Sequence, residues 1–179
     1  MRITIVGCGS IGSKLAKAAD EMAEVKRIYL MDEDTPRAEK LAAELNKAIL
    51  INDVEEELYH TDLVIEAASQ RAATSIVPKV VARGVDIMIM SVGALVDDKF
   101  REMVKEKAAQ SEAKIFIPSG AVCGTDGLRS SAVGELDEVE LITTKGPKSL
   151  EGVDWIMEHG IDVDKLTEPT TCLLYTSPS

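Results

Sequence analysis

Two patterns of apolar residues alternate along the chain as far as about residue 117. Short apolar runs, typical of buried strands, occur at 3–6, 28–31, 49–51, 63–65, 85–90 and 115–117. Between most of them, apolar residues recur at helical spacing. Because strands that are apolar throughout are buried on both faces, this alternation predicts an α/β fold with a parallel sheet of five or six strands and helices on both sides.

The first two predicted helices follow the first two strands. The first is expected to face the core with Ile11, Leu15, Ala18 and Met22. The second is expected to begin with Thr35 as its N-cap and Pro36 at its first helical position. Its apolar face is formed by Ala38, Leu41, Ala42 and Leu45.

Further helical segments are predicted before residue 117. An acidic helical turn is expected at 54–58, and residues 70–83 also have helical spacing. An interior proline costs a helix about 3 kcal/mol, so a break is expected at Pro78. Asp97 is expected to cap a helix that buries Phe100, Met103, Val104 and Ala108.

The turn after the first strand carries the clearest chemical signal, Gly7-Cys8-Gly9-Ser10-Ile11-Gly12. Glycine permits the tight turn at Gly7, lets the backbone approach a pyrophosphate at Gly9, and lets the helix pack closely at Gly12. Phosphates would bind the free N–H groups of the first helical turn, which includes Ser10 and Ile11. The strand–turn–helix context predicts a Rossmann-type doubly wound domain; a glycine turn without a ligand is the alternative.

Asp32 follows the second strand, where a carboxylate can bind the ribose hydroxyls of a dinucleotide. Glu33 and Asp34 follow directly, and three carboxylates would repel a 2′-phosphate. The predicted cofactor is therefore NAD, with NADP as a possible substitute; a surface turn is the alternative role of Asp32. Small residues in two further loops are also candidate cofactor contacts: Ala68, Ser69, Ser91 and Gly93.

Composition narrows the class of partner. Lys and Arg number 20 against 31 Asp and Glu, a net charge of −11, which argues against nucleic acid and anionic membranes. No apolar run is long enough to span a bilayer, and the first strand begins at Arg2, so a cytoplasmic protein is expected. The 3 cysteines match neither a disulfide framework nor a zinc spacing, and no metal site is predicted.

The pattern changes after Pro118. Residues 1–118 are predicted to form the dinucleotide-binding domain, and 119–171 to begin a second domain built on a different plan, with a strand at Val139–Thr144. Residues 172–179 do not continue the preceding pattern and are expected to be a non-native tail. The second domain would then be incomplete.

Taken together, the motifs resemble the L-aspartate dehydrogenase family. The residues that carry the likeness are Gly7–Gly12, Glu66–Ser69, Met90–Leu95, Pro118–Ala121 and Lys145–Leu150. The resemblance implies oxidation of L-aspartate to iminoaspartate and then oxaloacetate plus ammonia, or the reverse, with NAD or NADP, in a homodimer. It also implies a link to NAD biosynthesis. By the same resemblance, residues 119–171 begin an α+β domain used for substrate binding and dimerisation, which is expected to be incomplete in this chain.

The same resemblance assigns residues of the second domain. It places Ala121 near the nicotinamide, and Ser119 and Gly120 on the substrate side. Lys148 is a candidate partner for a substrate carboxylate, with a surface lysine as the alternative. The family's acid/base histidine has no counterpart at His60 or His159 and is expected beyond residue 179, so no catalytic residue is assigned and the chain alone is expected to be inactive.

Two other functions fit the same sequence. One is another amino-acid or semialdehyde dehydrogenase with a similar first domain, such as a homoserine dehydrogenase relative. The other is a non-catalytic module that binds NAD.

Overall fold

The computed structural model describes residues 1–119, 125–134, 139, 144–150 and 154–167. The chain divides into two compact units, 1–125 and 126–179.

The first unit alternates strands and helices along the chain. Its strands are β1 (Arg2–Val6), β2 (Arg27–Met31), β3 (Ala48–Leu50), β4 (Leu63–Glu66), β5 (Asp86–Ile89) and β6 (Ile115–Phe116). Its α-helices are α1 (Ser10–Glu21), α2 (Thr35–Ala43), α3 (Gln70–Ala82) and α4 (Asp98–Ser111). Two 3-10 helices, Val54–His60 and Val92–Val96, precede β4 and α4.

The six strands form one sheet in the order β3-β2-β1-β4-β5-β6, and every pair is parallel. At the carboxyl end of the central strand, Val6 is in register with Met31 on one side and Glu66 on the other. From β1 the chain adds β2 and β3 on one side of the sheet, and it then adds β4, β5 and β6 on the other side of β1. Such a reversal opens a crevice at the carboxyl ends of the strands, and the predicted doubly wound α/β fold is confirmed.

Both faces of the sheet are covered by apolar side chains. One face packs against α1 and α2 and buries Ile3, Ile5, Ile28, Leu30 and Ile65. The other packs against α3 and α4 and buries Val6, Val64, Ile87 and Ile89. Because successive residues of a strand point to opposite faces, an uninterrupted apolar run is needed to fill both cores.

The predicted buried face of α1 is wrong in part: Leu15 packs against the core, whereas Ile11, Ala18 and Met22 are exposed. The helix buries Gly12, Ala16 and Ala19, whereas Ile11 and Met22 are each 52% exposed. A β-carbon on Gly12 would lie 1.8 Å from the carbonyl oxygen of Gly7. The helix therefore contacts the strand through its smallest residues, which allow the closest approach.

The predicted cap of α2 is also wrong, by one residue. Asp34 is the N-cap, and its carboxylate accepts a hydrogen bond from the backbone N–H of Arg37. Thr35 is the first residue of the helix and Pro36 follows it. A carboxylate at this position also interacts favourably with the helix dipole, so aspartate takes the role expected of threonine.

The predicted break at Pro78 does not occur, because α3 continues from Gln70 to Ala82. The helix buries Ala73, Ile76, Val77, Val80 and Val81 on both sides of the proline. Burial of each large apolar side chain contributes about 1.5–3 kcal/mol, so packing offsets the cost of the missing hydrogen bond. The cap of α4 is as predicted, since Asp97 accepts a hydrogen bond from the N–H of Phe100.

The second unit contains short helices within its described residues. These are α5 (Thr125–Ser131), which starts at the boundary, α6 (Asp154–Glu158), and 3-10 helices Pro147–Leu150 and Val163–Lys165. Most of the predicted strand at Val139–Thr144, and all of 172–179, lie outside the described residues. Within the described ranges, no helix combines the length and apolar character needed to cross a membrane.

Candidate dinucleotide site

A cavity of about 510 Å³ opens at the carboxyl ends of the strands in the first unit. Each of four neighbouring strands contributes the residues that follow it. These are Gly7 and Gly9 after β1, Asp32 and Glu33 after β2, Asn52 and Asp53 after β3, and Ala67, Ala68 and Ser69 after β4. The cavity therefore lies at the reversal point of the sheet, where doubly wound folds bind their ligands.

The glycine turn has the geometry that a bound pyrophosphate requires. Gly7 has a φ of +94°, and a β-carbon there would lie 2.7 Å from the backbone of Ala67 and Ala68. A β-carbon on Gly9, by contrast, would meet no heavy atom within 4 Å. Gly7 and Gly12 thus allow the backbone to pack, whereas Gly9 leaves open space beside the cavity at the N-terminus of α1. That space fits the phosphates of a dinucleotide.

Asp32 is held rigidly at the rim of this cavity, with only 9% of its side chain exposed. One carboxylate oxygen accepts a hydrogen bond from the N–H of Cys8 at 2.6 Å, and the other from the N–H of Asp34 at 2.8 Å. Each oxygen retains further lone pairs for a ligand hydroxyl. The arrangement suits recognition of a ribose diol.

Cationic side chains surround the acidic rim. The guanidinium of Arg37 lies 3.7 Å from a carboxylate oxygen of Asp32 and 3.0 Å from one of Asp34. The Nζ of Lys79 lies 2.6 Å from a carboxylate oxygen of Glu55. Arg71, in the first turn of α3, also lines the cavity and has no ion pair among the residues that the structure describes. Its guanidinium is therefore available to an anionic ligand.

Cys8 is buried inside the glycine turn. Burial, and secondarily the Asp32 carboxylate, raise the pKa of its thiol to about 11. A thiol with so high a pKa stays protonated at neutral pH, so Cys8 is not a nucleophile for the reaction.

The loops after β4 and β5 are joined by a buried carboxylate. Glu66, the last residue of β4, is 0% exposed and accepts hydrogen bonds from the N–H groups of Ala68 and Ser69. It also accepts from both the N–H and the hydroxyl of Ser91. Ser69 in turn caps α3 by accepting from the N–H of Ala72 at 3.1 Å.

The structure separates the predicted cofactor residues into two groups. Gly7, Gly9, Asp32, Ala68 and Ser69 line the cavity. The others lie around it: Ser10, Ile11 and Gly12 in the first turn of α1, and Ser91 and Gly93 at the 3-10 helix after β5.

The structure describes only some of the site residues that were predicted in the second domain. Ser119 is exposed beyond β6, whereas Gly120 and Ala121 lie outside the described residues. The backbone of Lys148 is described but its side chain is not. Their roles stay predictions.

Sequence reasoning missed three residues of the site. Glu66 gave a signal, because a glutamate that ends an apolar run is expected to need buried partners. Asn52 gave a similar signal, as a polar residue directly after a strand. The contribution of Arg71 had no sequence signal, since a single arginine near a helix start is ordinary.

Comparison with known proteins agrees with this geometry. Residues 7–118 match the family model described as the NAD-binding domain of homoserine dehydrogenase. An L-aspartate dehydrogenase from Methanosarcina acetivorans is 39% identical over 181 residues, covering 100% of this chain and 66% of that protein. One from Methanothermobacter thermautotrophicus is 43% identical over 152 residues, covering 84% of this chain and 58% of that protein.

The resemblance to L-aspartate dehydrogenases is thereby confirmed, although the chain spans only 58% and 66% of the length of these two relatives. Among solved structures, aspartate dehydrogenase from Thermotoga maritima aligns with a TM-score of 0.57 at 20% identity. The alignment covers 91% of this chain and 69% of that one. At this level of identity, the match supports the fold.

Proposed function

Because the chain belongs to the family of NAD-binding domains that includes that of homoserine dehydrogenase, and its curated relatives are L-aspartate dehydrogenases, we propose that the protein is an NAD-dependent L-aspartate dehydrogenase. The cavity between the glycine turn and Asp32 is the observation that carries the proposal. The substrate would be L-aspartate, and the products oxaloacetate and ammonia, or the reverse.

The residues of the first unit would bind and orient the cofactor. The backbone N–H groups at the start of α1 would hold the pyrophosphate, with Gly9 giving it room, and Asp32 would bind the adenosine ribose. When bound, the cofactor supplies a nicotinamide ring that accepts a hydride from the substrate Cα.

The remaining chemistry belongs to the protein and to water. As the hydride leaves Cα, a base removes a proton from the substrate amine, which gives iminoaspartate. Water then adds to the imine carbon and ammonia leaves, which gives oxaloacetate. His60, the histidine of the first unit, does not line the cavity, and we propose that the base is a histidine downstream of residue 179. Ser119, Gly120 and Lys148 are proposed to contact the substrate, and Ala121 the nicotinamide.

The preference for NAD over NADP rests on charge at the rim. Asp32 and Glu33 both line the cavity, and a 2′-phosphate beside them would be repelled. Arg37 could counter this charge, but its guanidinium already lies against Asp32 and Asp34. NAD is therefore the proposed cofactor.

Calorimetric titration of the 179-residue chain with NAD, NADH and NADP tests cofactor binding. We expect heat from NAD and NADH and at least about tenfold weaker binding of NADP. Absence of heat from all three with folded protein would overturn the proposal. The chain by itself is expected to form no NADH from aspartate, because no described residue is placed as the base.

The substrate is tested on the protein expressed from its whole natural gene. NADH formation is compared for L-aspartate and L-homoserine, because the description of the matching family model favours homoserine dehydrogenase as the second candidate. A higher kcat/KM for L-homoserine would replace L-aspartate as the substrate. The same preparation allows light scattering to test the proposed homodimer. A cytoplasmic location and a role in supplying NAD biosynthesis complete the proposal.

A further inference from the structure

Glu66 is a fully buried acid of the first unit that the proposed reaction does not use, and its carboxylate accepts four hydrogen bonds. Oε1 accepts from the N–H of Ala68 at 2.9 Å, the N–H of Ser69 at 3.1 Å and the hydroxyl of Ser91 at 2.9 Å. Oε2 accepts from the N–H of Ser91 at 3.0 Å. All four partners donate, so the group acts as an acceptor on both oxygens.

These bonds tie together two loops that are distant in sequence. Ala68 and Ser69 follow β4, and Ser91 follows β5, which pairs with β4 in parallel register. The Glu66 carboxylate thus joins Ser91 directly to Ala68 and Ser69.

The two loops lie on the side of the crevice opposite to Asp32. Asp32 follows β2, on one side of β1, whereas β4 and β5 lie on the other side. A dinucleotide spans the crevice at this point, with one half on each side. If Asp32 binds the adenosine ribose, the nicotinamide half must lie over the loops after β4 and β5.

We propose that Glu66 is a positioning residue for the nicotinamide half of the cofactor. Its carboxylate sets the distance between the Ala68–Ser69 loop and Ser91, and it consumes the hydroxyl proton of Ser91. That hydroxyl is then left as an acceptor, which suits the amide N–H group of nicotinamide. The inference rests on the proposed binding of a dinucleotide by this domain.

Glutamine is the discriminating substitution. In Glu66→Gln, one oxygen becomes an NH₂ group that cannot accept, so in either orientation at least one of the N–H donors faces another donor. The volume of the side chain is unchanged. The substitution therefore displaces one loop without opening a cavity.

The test compares two ligands on the 179-residue chain, NADH and ADP-ribose, which lacks the nicotinamide. In the unmodified chain we expect NADH to bind about tenfold more tightly than ADP-ribose. In Glu66→Gln we expect most of this difference to disappear while the Kd for ADP-ribose changes by less than about twofold. If Glu66 served only to stabilise the fold, Glu66→Gln would weaken the binding of NADH and of ADP-ribose by the same factor.

Two further variants complete the design. Thr61, just before β4, is the control position: its buried hydroxyl lies 2.7 Å from the hydroxyl of Thr4, and Thr61 does not line the cavity. Thr61→Val should therefore leave the Kd values of both ligands unchanged. Ser91→Ala removes one of the four hydrogen bonds to Glu66 and should lower the ratio of the ADP-ribose Kd to the NADH Kd by about threefold. This variant tests the inference if Glu66→Gln does not fold.

Three results would overturn the inference. They are equal binding of the two ligands by the unmodified chain, an NADH advantage that survives Glu66→Gln, and an equal loss for both ligands. Failure of ADP-ribose and NADH to bind at all would instead overturn the proposed function, and the inference with it.

Discussion

The carboxylate of Asp32 accepts a hydrogen bond from the backbone N–H of Cys8 at 2.6 Å. The bond joins the residue that follows β2 to the turn that follows β1. Each feature alone is a common loop element. Together they place an acidic side chain beside the open space at Gly9, with both held against the same sheet edge.

The first prediction concerns the choice between cofactors. Asp32→Ser removes the charge that binds ribose hydroxyls and repels a 2′-phosphate. We expect the ratio of the NADP Kd to the NAD Kd to fall by about tenfold, through weaker NAD binding and stronger NADP binding. Calorimetry with both ligands measures the ratio.

Arg37→Ala is the matched control for Asp32→Ser, because it breaks the same ion pair from the other side. It should weaken the binding of NADP more than that of NAD, because the negative charges of Asp32 and Asp34 are then no longer balanced by a guanidinium. A ratio that stays constant in Asp32→Ser would contradict the role assigned to Asp32.

The second prediction separates two glycines of the same turn. Gly12→Ala would place a β-carbon 1.8 Å from the Gly7 carbonyl oxygen, so the helix must move. We expect a loss of about 3 kcal/mol in the free energy of unfolding and a Tm lower by roughly 10 °C.

Gly9→Ala, by contrast, meets no heavy atom within 4 Å. It should cost about 1 kcal/mol or less in stability but weaken NAD by at least about tenfold, because the methyl group takes the space of the pyrophosphate. Thermal unfolding and calorimetry on both variants test the pair. Tight NAD binding by Gly9→Ala would place the phosphates elsewhere.

The third prediction concerns acid stability. Hydrogen bonds, first of all from the backbone N–H of Asn46 and then from that of Lys47, lower the pKa of Asp20 below its ordinary value of 3.8. A depressed pKa contributes stability that is present above pH 3.8 and is lost as the pH falls towards the lower folded value. Asp20→Asn should lower the urea midpoint at neutral pH and flatten its fall below about pH 4.

Glu21→Gln is the control for Asp20→Asn. Glu21 is the next residue and is exposed, and the described part of the structure gives its side chain no hydrogen bond. Its variant should follow the pH dependence of the unmodified chain in urea titrations. Identical curves for both variants would show that the Asp20 bonds do not contribute.

The fourth prediction concerns Cys8, whose thiol has a pKa raised to about 11 by burial and by Asp32. Alkylation requires the thiolate, which the fold suppresses relative to the ordinary pKa of 9.0. At pH 8.5 we expect iodoacetamide to modify Cys8 at least about a hundredfold more slowly in the folded chain than in urea. Peptide mass mapping identifies the site, and equal rates would mean that the turn opens freely.

The same shift has a consequence at alkaline pH. Because the folded pKa of Cys8 is higher than the unfolded one, its contribution to stability is complete below pH 9.0 and is lost as the pH rises towards 11. Cys8→Ala should therefore lose less stability than the unmodified chain over this range. Urea midpoints at pH 8 and pH 10 measure the difference.

Much of the fold could be predicted from local pattern. The apolar run at 28–31 corresponds to β2 at Arg27–Met31, and Asp97 caps α4 as its position suggests. Such features depend on residues that are close in sequence. The burial of Gly12 and Ala16 on α1 could not be predicted in this way, because both carry little hydrophobic signal and Gly12 packs against the backbone of Gly7.

The candidate site divides along the same line. The sequence by itself determined the order of strands and helices, the glycine turn and the acidic residue after β2, because spacing and residue type act locally. Only the tertiary structure decided that Cys8 donates to Asp32 and that Ser69 and Ser91 share Glu66. Cys8 and Asp32 are 24 residues apart, and Glu66 and Ser91 are 25 residues apart, so each pair meets only because parallel pairing brings the carboxyl ends of neighbouring strands to one edge.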